Sequence, residues 1–236
     1  MLKYRMKDIS DTKKIQELFD AGIHLGHKKN RVHPKAKKYI YTMEKGVSII
    51  DLPQTLAQLK NAQKFLTDSV KESLTILVVA TKKVGSDYAA EICEKAGIPY
   101  ITTKWMSGLL TNFDTIMKNV KKLKELREEK ETGSWNKLVK HERTKLDKKI
   151  SKLKKFYGGL INLEKLPDVL LILDTKQENN ALTEAIKTKT KVVAIIDTNS
   201  NPDLVNYPIV ANDDSPTAVQ YLLNELIGQP KVKKNN

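Results

Sequence analysis

The sequence predicts an α/β domain, a doubly wound and mostly parallel sheet, carrying an inserted α-helical hairpin of coiled-coil type. Two observations predict the sheet. Short, wholly apolar runs such as Ile76-Leu77-Val78-Val79 and Val169-Leu170-Leu171-Ile172-Leu173 are of the kind buried on both faces. They alternate with amphipathic helical stretches, which places helices on both sides of them. A third observation predicts the hairpin. Residues 114–157 hold two thin apolar stripes, Ile116, Val120 and Leu123, then Leu146, Ile150, Leu153 and Tyr157, at spacings of three and four. Glu131-Thr132-Gly133-Ser134 breaks the pattern between them. Such a hairpin is expected to pack mainly on itself.

In chain order, residues 11–22 read as a helix with Ile15, Leu18 and Phe19 on its buried face and Gly22 as its stop. Glycines and Pro34 make residues 21–35 an irregular loop. Lys38-Tyr39-Ile40-Tyr41 and Val47-Ser48-Ile49-Ile50 flank Glu44-Lys45-Gly46 as a β-hairpin. Asp51 stands where it can cap the next helix, with Pro53 in its first turn and Leu56, Leu59, Leu66 and Val70 on its apolar stripe. The α/β rhythm then runs strand 75–80, helix 86–96, strand 98–101, hairpin, strand 168–173, helix 178–188, strand 192–196 and strand 207–210. Ser215-Pro216 opens a last helix. The chain so divides into a basic arm with the first half of the α/β domain (1–113), the hairpin (114–157), and the second half with a loose tail (158–236). No apolar run is long enough to cross a membrane, and the basic start Met1 to Lys7 is too short and polar for a secretion signal. Cys93, the single cysteine, is expected as a buried helical thiol, which fits a reducing compartment.

Charge is distributed unevenly. The 236 residues carry 42 Lys and Arg against 28 Asp and Glu, a net charge of +14. Residues 1–46 hold an excess of seven positive charges and residues 118–155 an excess of nine, with fifteen basic against six acidic side chains. The remainder is neutral to slightly acidic. Two basic blocks on a neutral body point to a polyanion, and nucleic acid is the usual one. Lysine outnumbers arginine 38 to 4, so contacts to phosphate would be point charges sensitive to salt. His27, Lys28, Lys29, Arg31, Lys35, Lys37 and Lys38 are the candidates in the arm. Lys121, Lys122, Lys148, Lys149 and Lys152 are those of the hairpin, and Lys104 stands at its entrance.

The familiar motifs of the fold are missing. No Gly-x-Gly-x-x-Gly, P-loop or Gly-x-Ser-x-Gly elbow occurs. Thr81-Lys82-Lys83 after the first strand suits a sugar phosphate, a nucleic-acid face or a plain solvated loop. Trp105 and Phe113 suit base stacking, and suit better a wedge between hairpin and sheet, with Asn112 as helix cap. Acidic residues end three strands: Asp174, Asp197 and Asp213-Asp214. Parallel strands share one carboxyl edge, so these groups converge there. Turns and caps explain most such residues. A structural magnesium or zinc ion held by Asp197, Asp213 and Asp214 is the metal alternative, and His24, His27 and His33 have no cysteine or carboxylate pair nearby in sequence to complete a zinc set.

The order of short motifs resembles the bacterial small-subunit ribosomal protein S-two family over nearly the whole chain. The matching residues are Ala21-Gly22-Ile23-His24-Leu25-Gly26-His27, Arg31, Pro34-Lys35, Ile49-Ile50-Asp51-Leu52 with Thr55, Thr81-Lys82-Lys83, Trp105 with Gly108, and Leu110-Thr111-Asn112-Phe113. Leu166-Pro167-Asp168, Asp197-Thr198-Asn199 with Pro202-Asp203, and Asn212-Asp213-Asp214 complete them. Val32-His33, Lys104, Met106-Ser107 and Ala211 depart from the family's usual residues. The resemblance implies a flavodoxin-like domain with a protruding coiled coil, a non-enzymatic structural place in the small ribosomal subunit of the cytoplasm or of an organelle, and contact with small-subunit rRNA. On it the basic residues above, with Lys82 and Lys83, become rRNA contacts. It also implies neighbouring ribosomal proteins as partners, among them S-one, for which the acidic edge of Asp197, Asp213 and Asp214 is the expected docking contact. A sugar-phosphate or nucleotide-binding enzyme using Thr81-Lys82, and a free-standing nucleic-acid-binding regulator, are the alternatives.

Overall fold

The computed structural model describes residues 9–228; the basic start Met1 to Lys7 and the expected tail from Pro230 lie outside them. Helix α1 (Ile9–Asp20) leads into a three-stranded antiparallel sheet of β1 (Leu25–Lys28), β2 (Ile40–Glu44) and β3 (Val47–Ile50), in the order β1-β3-β2. Helix α2 (Leu52–Lys71) follows, then β4 (Ile76–Val79), α3 (Ser86–Ala96) and β5 (Tyr100–Ile101). Helices α4 (Phe113–Glu131) and α5 (Lys140–Tyr157) form the hairpin. Strand β6 (Val169–Leu173), α6 (Asn179–Thr188), β7 (Lys191–Ile196), β8 (Tyr207–Val210) and α7 (Pro216–Leu223) complete the chain.

Strands β4 to β8 make one wholly parallel sheet in the order β5-β4-β6-β7-β8, the flavodoxin-like arrangement with the order reversing at β4. The apolar runs are explained by their two-residue period. Ile76, Val78, Val169, Leu171, Leu173, Val193 and Ile195 face one core, with Leu56, Leu59 and Leu66 of α2, Cys93 of α3 and Leu222 of α7. Leu77, Val79, Leu170, Ile172, Val192, Ala194 and Ile196 face the other, with Ala181, Leu182 and Ala185 of α6. Each fully buried leucine or isoleucine contributes about 1.5–3 kcal/mol, so both layers are needed. Cys93 is fully buried as expected, and burial pushes its thiol up to about 12.

The hairpin is more than an appendage. Ile116, Val120 and Leu123 of α4 and Tyr157 of α5 share the second core with Leu170 and Ile172 of the sheet. The expectation that it packs mainly on itself holds for the helix pair, whose main neighbours are each other, but it is incomplete at the root, which lies on the crossover that a parallel return from β5 to β6 requires and joins the second core. The helices also hold each other at both ends. Asn119 Nδ2 donates to the Tyr157 hydroxyl at 3.3 Å at the root, and Lys130 Nζ lies 2.7 Å from Asp147 Oδ1 farther out, which fixes an antiparallel pair.

Three local expectations are also corrected. Residues 25–28 are strand, not loop, because β3 supplies the backbone partners that a short Leu-Gly-His-Lys run cannot advertise. Phe19 is 52% exposed, stacked on His24 at 4.2 Å between ring centres, and is not on the buried face. Asp51 and Asn112 occupy the N-cap positions of α2 and α4 without side-chain capping bonds; the Asp51 carboxylate instead accepts from Gln54 Nε2 at 2.7 Å.

Candidate functional site

The carboxyl edge of the parallel sheet gathers the charged groups that the strand pattern placed there. Lys82, just after β4, is the centre. Its Nζ lies 2.7 Å from Asp213, 2.8 Å from Asp214 and 3.1 Å from Asp174. Burial pulls the Lys82 ammonium down, but the Asp213 and Asp214 carboxylates more than offset it, and its pKa stands above the ordinary range. Asp174 holds a left-handed backbone, φ 65°, rare for a residue with a side chain. Its Oδ1 accepts from the N–H groups of Lys176 and Gln177 at 2.9 and 3.2 Å. Asp213 is wholly buried, and burial together with the charges of Asp174 and Asp197 pushes its carboxyl up to about 7.

A second group ties the antiparallel sheet to this edge. His27 Nδ1 of β1 is 2.8 Å from Asp197 Oδ2, and its Nε2 is 3.0 Å from Asn199 Nδ2 and 3.6 Å from Asp214 Oδ2. The Asp197 carboxylate raises the imidazole pKa against the effect of burial. The His27 N–H donates to Thr198 Oγ1 at 2.9 Å, and Ser48 Oγ donates to the His27 carbonyl at 2.7 Å. Gly26 makes this approach possible. A Cβ there would stand 2.6 Å from Ser48 Oγ and 2.8 Å from Thr198 Cγ2, so no larger residue fits without movement.

The place where a phosphate would sit is taken from within. Glu178 Oε1 accepts from the Thr81 N–H at 3.0 Å and from the Thr81 hydroxyl, and Lys82 is committed to carboxylates. Lys82 therefore does not have the free ammonium that an rRNA contact asks of it. Asp197 and Asp213 are 1% and 0% exposed, so of the three acidic residues expected to meet a protein partner only Asp214 reaches the surface. For a metal, the ligand atoms that converge are those of His27, Asp197 and Asp214, all within 4.8 Å of one another. Asp213 is turned to Lys82 instead. One imidazole nitrogen and two carboxylate oxygens are a donor set of zinc type, not of magnesium type, and Lys82 is a competing cation beside Asp214.

The remaining basic candidates are on the surface. Lys28, Lys29, Arg31 and Lys37 of the arm are exposed and enter no ion pair among the described residues, whereas Lys35 and Lys38 share Asp203 at 3.7 and 2.9 Å. Lys83, Lys104, Lys122, Lys148, Lys149 and Lys152 are likewise exposed and without carboxylate partners among the described residues; Lys121 lies 3.9 Å from Glu125. Trp105 is 5% exposed and is a wedge, its Nε1 donating to Glu184 Oε1 at 3.0 Å. Glu184, which the sequence places only within the helix 178–188, also accepts from the N–H groups of Gly108 and Leu110 at 2.7 and 3.1 Å. It fixes the whole strand-to-hairpin connection. Helical periodicity alone carried no signal for it.

Fold and site together define a flavodoxin-like domain that fills its own strand-end crevice and displays its positive charge elsewhere, on an arm and a hairpin. The sequence profile described as Ribosomal protein S2 matches residues 18–229. The chain belongs to the ribosomal protein S2 family. Among its relatives is the small ribosomal subunit protein uS2 of Coprothermobacter proteolyticus, 42% identical over 212 residues that make up 90% of this chain and 79% of that protein. The uS2 proteins of Oenococcus oeni and of a Nitratiruptor strain are 41% and 39% identical over the same share of this chain, covering 82% and 79% of their own lengths.

Proposed function

We propose that this protein is a structural, non-enzymatic constituent of the small ribosomal subunit that binds small-subunit rRNA through its arm and hairpin. The observation that carries the proposal is the separation of charge. Lys82 is committed to three carboxylates inside the crevice, while the unpaired lysines stand on two exposed limbs. Lysines on phosphate position a protein without reading bases, so recognition would rest on RNA shape. An enzyme acting on a sugar phosphate is disfavoured by Glu178, whose carboxylate occupies the anion position at Thr81. Docking of ribosomal protein S-one at the acidic edge belongs to the same proposal, narrowed to Asp214 as the exposed carboxylate; a pull-down with Asp214→Lys tests it, and undiminished capture of S-one would remove that contact.

The salt dependence of binding to transcribed small-subunit rRNA tests the main proposal. Each lost phosphate contact lowers the logarithmic salt slope by about 0.7–0.9. Lys28→Ala with Lys29→Ala is expected to flatten the slope by roughly 1.5. An unchanged slope would take the arm out of the interface.

A further inference from the structure

The hairpin's charge is concentrated at one end. Residues 118–124 of α4 and 148–155 of α5, the root, carry four and five lysines and no carboxylate. Residues 125–147, the outer part, carry six basic and six acidic side chains. The whole excess of the hairpin therefore sits beside the sheet.

The two ends also differ in what their charges do. In the outer part Lys130 is paired with Asp147 at 2.7 Å, and Glu129 accepts from the buried Trp135 Nε1 at 3.3 Å, closing the turn. At the root all nine lysines are exposed, and among the described residues Lys121 alone enters an ion pair, a loose one of 3.9 Å. Lys118 and Lys122, and Lys148 and Lys152, are like charges four apart on a helix, a spacing that works against the helix. Lys122 and Lys149 approach each other across the pair, and the Lys122 ammonium holds the Lys149 amine below its ordinary range. Nearby, Lys154 and Lys155 line a cleft of about 290 Å³ between the hairpin and β5, which Arg127, just beyond the root on α4, also reaches. A surface shaped only for solubility would mix its signs, as the outer part does. Uncompensated repulsion confined to one end fits a site completed by an external polyanion.

We infer that the RNA backbone crosses the hairpin at its root, and that the outer half makes no phosphate contact. This rests on the rRNA-binding proposal above and adds the location to it. Two full-length variants separate location from total charge. Lys118→Gln with Lys122→Gln, Lys149→Gln and Lys152→Gln removes four positive charges from the root. Lys130→Gln with Lys140→Gln, Arg143→Gln and Lys145→Gln removes four from the outer part. Salt slopes are measured for both against transcribed small-subunit rRNA, with circular dichroism confirming equal helix content. The root variant is expected to lower the slope by about 3, and the outer variant by less than about 0.5. Equal losses in the two variants, or a loss confined to the outer one, would overturn the location while leaving rRNA binding intact. A wild-type chain that does not bind the transcript at 50 mM salt would overturn both.

Discussion

Replacing Lys82 by methionine separates a structural lysine from an RNA-gripping one. The substitution keeps the length and apolar stem of the side chain and deletes the cation that three carboxylates share. Asp213 and Asp174 are 0% and 7% exposed, so they are left charged in a poorly hydrated place. Removing one partner from a buried ion pair costs about 3–5 kcal/mol. Part of that is relieved by protonation. Asp213, already at about 7 through burial and its acidic neighbours, rises further without Lys82. An acid whose folded pKa stands above its unfolded value of about 3.9 destabilises the fold when ionised. The extra loss from Asp213 is therefore full above the raised folded pKa of the variant and fades as pH falls to the wild-type value of about 7, below which both folded chains hold this carboxyl protonated. For a chain of this size 1 kcal/mol moves Tm by about 2–4 °C, so a drop of roughly 10 °C at pH 8 is expected, and a smaller one at pH 5.5. Scanning calorimetry of Lys82→Met and of the exposed control Lys83→Met at the two pH values measures this; the control should stay within about 0.5 kcal/mol of wild type. Equal Tm for Lys82→Met and wild type at pH 8 would refute the assignment and return Lys82 to the RNA-facing set.

Other consequences are as direct. Gly26→Ala drives a methyl into Ser48 and Thr198 and should cost about 1–3 kcal/mol in urea unfolding, with a weakened link between arm and body. Glu184→Ala strips the acceptor from Trp105, Gly108 and Leu110 and should cost about 3 kcal/mol. Burial opposes ionisation of Glu184, but the N–H groups of Gly108, Trp105 and Leu110 win and hold its pKa low, so its contribution is present above about pH 4.5 and lost as pH falls through the folded value. Titration calorimetry of the purified chain with zinc tests whether the His27, Asp197 and Asp214 cluster takes a cation in competition with Lys82; heats unchanged by His27→Ala and by Asp197→Asn would end that assignment.

Much of the fold was legible because its physics is local or periodic. Alternating apolar strands and amphipathic helices placed all five parallel strands, and the carboxyl-edge rule brought Asp174, Asp213 and Asp214 together before any coordinates did. What escaped depends on partners distant in sequence. Strand β1 exists because β3 and Thr198 meet it, and four residues with a glycine give no periodic sign of that. Lys82 was visible at the right edge, yet a lysine after a strand looks the same whether its counter-ion is a phosphate or an aspartate 131 residues away. Glu178 and Glu184 fall in the expected helix 178–188, but a helix assignment does not say that both are buried acceptors. The hairpin's stripes are legible in the sequence, but their extension into the sheet's second core is not, since three apolar residues on one helix and four on the other do not say which surface they meet.

The most direct measurement is sedimentation of the tagged, full-length chain through a sucrose gradient with small ribosomal subunits at low and at high salt. Comigration with the subunit at low salt is expected, with release as the salt rises and earlier release for the root variant of the hairpin. A chain that stays at the top of the gradient at every salt concentration would contradict it.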